Sequence, residues 1–151
     1  MPKKVLTLTM LLNEERILLG LKKRGFGTGR WNGFGGKVSE GESIEEAALR
    51  EIREESGILL TSLNPRGKIT FRFEGNPEAL EVHIFSALWH GSAIESEEMK
   101  PQWFALHEIP YENMWPDDKL WLPLLIAGKN IAGEVHFKDT DTILGHTIQE
   151  G

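Results

Sequence analysis

The run GKVSEGESIEEAALREIREESGI, Gly36 to Ile58, reads as a single capped helix framed by loop. Ser43 is a good N-cap, and Glu46 three residues later completes a capping box. Alanine, leucine, glutamate and arginine, all strong helix formers, fill the segment. Gly57 is the C-terminal stop, and Ile58 is placed to pack back on the last turn. The helix is expected over residues 44–56. At about 100° per residue, Ile44, Ala47, Ala48 and Ile52 form an inward stripe. Glu51 and Glu55 fall in the middle of that stripe and Glu54 on its edge. Glu45, Glu46, Leu49, Arg50 and Arg53 take the outer faces. Acidic helix residues usually mark a solvated face, but here two of them occupy positions that belong to apolar residues. Sheltered carboxylates repel one another and resist ionisation unless a cation neutralises them. Hard oxygen donors in that number suit magnesium or manganese rather than zinc. The helix therefore points to a metal site for phosphate chemistry.

Around this helix the chain alternates as strands. Residues 4–12 and 16–22 read as strands about an Asn13-Glu14-Glu15 turn. Residues 24–36 are a glycine-rich loop. Residues 67–74 and 80–89 form a second pair, turned by Gly75-Asn76-Pro77. Residues 101–105 are a short strand, residues 118–127 a second helix capped by Asp117 or Asp118, and residues 132–138 and 142–148 a final hairpin. Strands predominate with two helices to cover them, which predicts an α/β sandwich around a mixed sheet.

A chain of 151 residues is expected to form one domain, residues 1–151, with a real core. The formal charge of −6 argues against a binder of nucleic-acid polymers, which would show a basic surface. It leaves room for a small anionic substrate, since bound metal ions invert the local field. Without cysteine there is no disulfide, thiol catalysis or cysteine-based zinc site. The apolar run near the start is short and broken by threonines, so a strand is expected there rather than a signal peptide, and no stretch reaches membrane-spanning length. The expectation is an intracellular, cytoplasmic protein, with mitochondrial or nuclear pools as further places of action.

Gly36, Glu42 and the run Arg50-Glu51-Ile52-Arg53-Glu54-Glu55-Ser56-Gly57-Ile58 match the Nudix box at every defined position. That motif is long and specific, and the chain resembles the Nudix family of hydrolases of nucleoside diphosphates linked to another moiety. The segments at Leu21–Val38, Glu95–Phe104, Met114–Asp118 and Asp139–Leu144 extend the likeness over essentially the whole chain. They resemble animal members of the family that hydrolyse oxidised purine nucleoside triphosphates.

The resemblance implies an α/β/α sandwich with a central mixed sheet and two main helices. It implies a monomeric, Mg2+-dependent (or Mn2+-dependent) pyrophosphohydrolase that sanitises the nucleotide pool and so prevents DNA damage. Glu51, Glu54, Glu55 and Arg50 would form the catalytic set, with Arg50 bracing loop and helix. Gly36, through its carbonyl, would hold metal together with Glu51, Glu54, Glu55 and Glu98. Glu98 alone, in the charged ESEEM loop, reads as surface, and only the resemblance raises it to a ligand, with Glu97 beside it as the alternative. The alternatives are a Nudix hydrolase of another nucleoside diphosphate-linked substrate and a non-catalytic nucleotide-binding module.

Eight residues are expected at the substrate: Thr7, Lys22, Phe26, Asn32, Phe71, Trp115, Asp117 and Asp118. Lys22 or Lys23 would meet a phosphate, or else both are strand-end surface. Phe26, Phe71, Phe73, Trp115 and Trp121 are candidates for an aromatic pocket, and Trp115, in the loop MWPDD, is the one least expected in a core. A flat indole stacks on a purine with about 1–3 kcal/mol. Trp31 reads as structural. Two adjacent enclosed aspartates, Asp117 and Asp118, exceed what a helix cap uses. Each raises the other's proton affinity, so a pair holding one proton could donate or accept at a base edge. In the resembling enzymes this pair and the Asn32 equivalent contact the base. The loop glycines match neither a P-loop nor a dinucleotide fingerprint and read as turns that let the chain wrap a ligand. Leu80 departs from the resembling pattern, where a methionine lines the base pocket.

Overall fold

A computed structural model describes residues 2–151. Helix α1 spans Ile44–Ser56. The Glu46 amide donates to the Ser43 hydroxyl at 3.1 Å and the Ser43 amide to the Glu46 carboxylate at 2.8 Å. Such a cap contributes about 1 kcal/mol. Gly57 ends the helix in the left-handed region, φ 74°, with its amide donating to the Arg53 carbonyl. Burial follows the expected phase except at two positions. Leu49 and Arg50, placed on the outer face by the helical wheel, are half-buried. Leu49 packs on the core edge, and Arg50 is drawn in by the carboxylates around it.

The strands are β1 (Lys3–Leu12), β2 (Arg16–Lys22), β3 (Trp31–Asn32), β4 (Asn64–Phe73), β5 (Ala79–Leu88), β6 (Met99–Ala105), β7 (Ile131–Phe137), β8 (Ile143–His146) and β9 (Gln149–Glu150). Among the described residues they make one mixed sheet in the order β3-β2-β1-β5-β4-β7-β8, with β6 on β2 and β9 on β7. The β1/β5 and β4/β7 pairs are parallel and the others antiparallel. The final hairpin is shorter than expected, and β9 pairs with the far end of β7. Two single 3-10 turns, Leu106–Glu108 and Tyr111–Asn113, were not legible in the sequence.

The β1–β2 hairpin holds for only two residue pairs before the strands part. Beyond that point β2 pairs along its whole length with β6, and residues 34–38 come to lie against β1 instead. Thr9 and Phe34 exchange both amide bonds, at 2.7 and 3.0 Å, and the Thr7 amide donates to the Gly36 carbonyl at 2.9 Å. This explains two of the loop glycines. A Cβ on Gly35 would stand 1.9 Å from the Thr7 carbonyl oxygen, and one on Gly33 2.7 Å from that of Thr9. These two glycines allow a backbone-on-backbone approach to β1, and both also border the cavity left where β1 and β2 part.

Successive residues of each strand serve opposite layers. Leu11, Leu18, Phe85 and Ala87 pack with Ala48 and Ile52 of α1. Met10, Ile17, Leu19, Ile84 and Val135 pack with Trp121, Leu122 and Leu125 of helix α2, Asp118–Ile126. The result is a sheet sandwiched between two helical layers. Asp117 stands at the N-cap position of α2, but its side chain makes no cap hydrogen bond, contrary to the capping role the sequence suggested. No helix among the described residues is long and apolar enough to cross a membrane.

Candidate active site

The parting of β1 from β2 leaves a cavity of about 250 Å³. Its apolar wall follows from strand register. Leu6 pairs with Val82, Leu80 with Phe71, and Phe73 with Phe137, so alternate residues of four strands face one space. Lys22, Gly36 and Glu55 border this cavity, and so do Asn32, Trp115, Asp117 and Asp118.

Around α1, one arginine organises the acids. Arg50 Nε and Nη2 donate to the two Glu42 oxygens at 2.6 and 2.9 Å. Nη1 donates to Glu51 at 2.7 Å and Glu54 at 3.2 Å, and Nη2 also to the Lys37 carbonyl at 3.1 Å. Loop 37–42 is thereby tied to the helix. The Arg50 hydrogen bonds hold the Glu42 carboxyl down at about 2. Burial pushes the Glu51 carboxyl up, against the pull of Arg50.

Glu55 is different. Only 4% exposed, it accepts the Gly35 amide at 2.9 Å and has no cationic hydrogen-bond partner among the described residues. Burial raises its carboxyl to about 8, with the Glu51 charge adding to the rise and the Gly35 amide and Lys22 opposing it. Gly36 admits the neighbouring acid, since a Cβ there would lie 2.6 Å from the Glu51 carboxyl carbon.

Glu98 receives Arg24 Nε at 2.8 Å in a surface ion pair, yet its charge is near enough to add to the rise at Glu55. Among the described residues no three acids or histidines converge as a ready coordination shell. The Gly36 carbonyl accepts the Thr7 amide, which leaves it one further lone pair. The donors are nevertheless all hard oxygens, and the buried carboxyls of Glu51 and Glu55, which resist ionisation alone, are what a divalent cation would allow to ionise.

Of the two lysines, Lys22 borders the cavity, whereas Lys23 is spent on Glu95 and the Ser96 carbonyl at 2.6 and 2.8 Å. Thr7 borders the cavity, but strand alternation puts its side chain on the α1 side with Thr9. Neither hydroxyl has a partner among the described residues.

Trp115 packs edge-on against Phe73 and Phe137 and tilted against Phe26, with centroids 6.4, 5.9 and 4.9 Å away. Phe26, 58% exposed, forms the outer lip. A Cβ on Gly27 would come 3.1 Å from the indole nitrogen, so this glycine lets the loop close over Trp115. Trp121 does not line the cavity. It is fully buried, and its indole nitrogen donates to Asp117 at 2.8 Å. That bond takes up the carboxylate which the sequence left free for capping. Burial raises both aspartates, Asp118 further because the Asp117 charge lies beside it. The neighbouring charge thus makes Asp118 the stronger holder of a proton, while Asp117 receives the Trp121 indole N–H. Asn32 Nδ2 donates to the Arg30 carbonyl at 3.0 Å. Trp31 stacks edge-on on Phe104, 4.9 Å away, as a structural residue.

Sequence reasoning missed Leu6, Leu8, Val82, Met99 and Phe137 in the cavity wall. Their period-2 spacing was visible, but the strand order that aligns them was not.

A family model for the NUDIX domain matches residues 2–125. The chain is 55% identical over 145 residues to the mouse protein named oxidized purine nucleoside triphosphate hydrolase, covering 95% of this chain and 93% of that one. It is 49% identical over 148 residues to the zebrafish protein of the same name, covering 97% and 95%. Among solved structures, a MutT protein from Bacillus halodurans superposes with a TM-score of 0.84 at 25% identity, covering 97% of each chain.

Proposed function

The chain belongs to the Nudix hydrolase family, and from that premise we propose that it hydrolyses oxidised purine nucleoside triphosphates. The substrates are 8-oxo-dGTP, 2-oxo-dATP and their like, and the products the monophosphate and pyrophosphate. Its near full-length likeness to two animal hydrolases of that name supports this substrate class. The observation that carries the reading is a single cavity bordered both by the acidic helix and by a base-sized aromatic and amide wall.

The residues divide the work. Gly36, Glu51, Glu54, Glu55 and Glu98 would hold a divalent cation, Mg2+ by the hardness of the donors. When bound, it neutralises the triphosphate and acidifies the attacking water. Arg50 keeps Glu51 and Glu54 aimed by tying the helix to loop 37–42. Lys22, which borders the cavity, would meet a phosphate oxygen. Trp115 stacks on the purine, Asn32 reads one edge, and the Asp117/Asp118 pair, with one proton between them, reads the other. Glu51, Glu55 and Glu98 are the candidates for taking the water's proton.

The enzyme on this reading works as a cytoplasmic monomer on free nucleotides, and its charge of −6 disfavours polymeric nucleic acid. The test is pyrophosphate release from 8-oxo-dGTP, 2-oxo-dATP and dGTP, with and without magnesium. Metal-dependent release with the oxidised substrates preferred is expected. No release from any oxidised purine triphosphate, or a preference for a dinucleoside polyphosphate or capped RNA, refutes the reading.

A further inference from the structure

The stretch DTDTIL, Asp139–Leu144, has no part in the chemistry above. The structure brings it to Arg30. Arg30 Nη1 donates to the Thr140 carbonyl at 2.8 Å, and Nη2 pairs with Asp141 Oδ1 at 2.5 Å. So anchored, the guanidinium lies over the Trp115 indole, with Cζ 4.4 Å from the ring centroid. The Arg30 side chain is only 20% exposed. Trp115 borders the cavity and Arg30 does not, so the cation backs the indole from outside the cavity. The Arg30 carbonyl meanwhile accepts both the Lys22 amide and Asn32 Nδ2, each at 3.0 Å. One residue thus touches the stacking ring, the edge-reading amide and the backbone of the phosphate-side lysine.

The aromatic neighbours of Trp115 meet it at edges or at a tilt, which fixes distance better than rotation. A planar guanidinium held at two nitrogens supplies the missing directional contact. We propose that Arg30 is a positioning residue for purine recognition: clamped by Thr140 and Asp141, it holds the Trp115 indole rigid and fixes Asn32 beside it. This deepens the proposed function and rests on it.

The test uses the full chain with Arg30→Gln and Arg30→Lys. The indole N–H resonance of Trp115 is assigned by its loss in Trp115→Phe. Removing a partly desolvated cation–π contact should raise KM for 8-oxo-dGTP about five- to tenfold while kcat stays within about twofold. The Trp115 resonance should move or broaden in Arg30→Gln, with the other four indoles unmoved. Arg30→Lys, which keeps a cation but not the planar fork, should fall between Gln and wild type. An unmoved Trp115 resonance overturns the proposal, as does an unchanged KM or a Lys variant equal to wild type. Should wild type release pyrophosphate from no oxidised purine triphosphate, the functional reading alone has failed. Titration of 8-oxo-dGMP onto the Trp115 resonance then takes the place of KM.

Discussion

Glu55→Gln should make the metal-free protein more stable and the enzyme nearly inactive. Glu55 is 4% exposed and its carboxyl is raised by burial to about 8 from an unfolded value of 4.5. Below pH 4.5 the group is protonated in both states and costs nothing. Between pH 4.5 and 8 the unfolded chain ionises and the folded chain does not, so stability is lost as pH rises and the full loss is reached near pH 8. A shift of 3.5 units at about 1.36 kcal/mol each comes to roughly 5 kcal/mol. That is a large share of the 5–15 kcal/mol typical of a whole domain. Glutamine keeps an oxygen for the Gly35 amide and has no charge to bury. Urea denaturation in EDTA at pH 5, 6.5 and 8 isolates the effect, because groups away from Glu55 titrate alike in the two proteins. The variant should gain roughly 3–5 kcal/mol on wild type between pH 5 and 8, while turnover with magnesium falls about a hundredfold or more. Added magnesium should stabilise wild type more than the variant at pH 8. Parallel stability curves in EDTA would refute the claim that Glu55 stores this strain, and near-normal turnover would remove it from the metal site.

Two further changes separate scaffold from site. Gly35→Ala puts a Cβ 1.9 Å from the Thr7 carbonyl oxygen, a backbone atom that cannot yield, and should cost several kcal/mol, of the order of the larger core substitutions, by thermal denaturation. Gly36→Ala first meets the Glu51 carboxyl, the end of a side chain, and should lower kcat more than Tm, and equal loss of Tm in the two variants would contradict the distinction. Asp118→Asn fixes the neutral form that burial already favours there, whereas Asp117→Asn removes the charge facing Trp121. Each should change the ratio of 8-oxo-dGTP to 2-oxo-dATP hydrolysis, in opposite senses. An unchanged ratio in both variants sinks the shared-proton account.

The acidic helix was legible to the residue because its information is local: a capping box, a glycine stop and a 3.6-residue phase are written within fifteen or so positions. The same locality explains what was not legible. The approach of Gly33 and Gly35 to β1 went unread, although both do border the cavity, because nothing nearby in sequence says that β1 abandons β2 after two pairs and takes residues 34–38 as a neighbour. Asp117 looked like a cap because its real partner, Trp121, is set by the burial of α2. Arg30 carried no signal in the sequence, because Asp141, which the fold sets beside it, is 111 residues away. These misses share a cause, since each depends on a contact between segments whose pairing order the sequence pattern leaves open. They also share a place, for all three lie where the hairpin parts and the cavity forms. A hairpin that zipped fully would have made the sequence easier to read, and would have closed the space that Glu55 and Trp115 now border together.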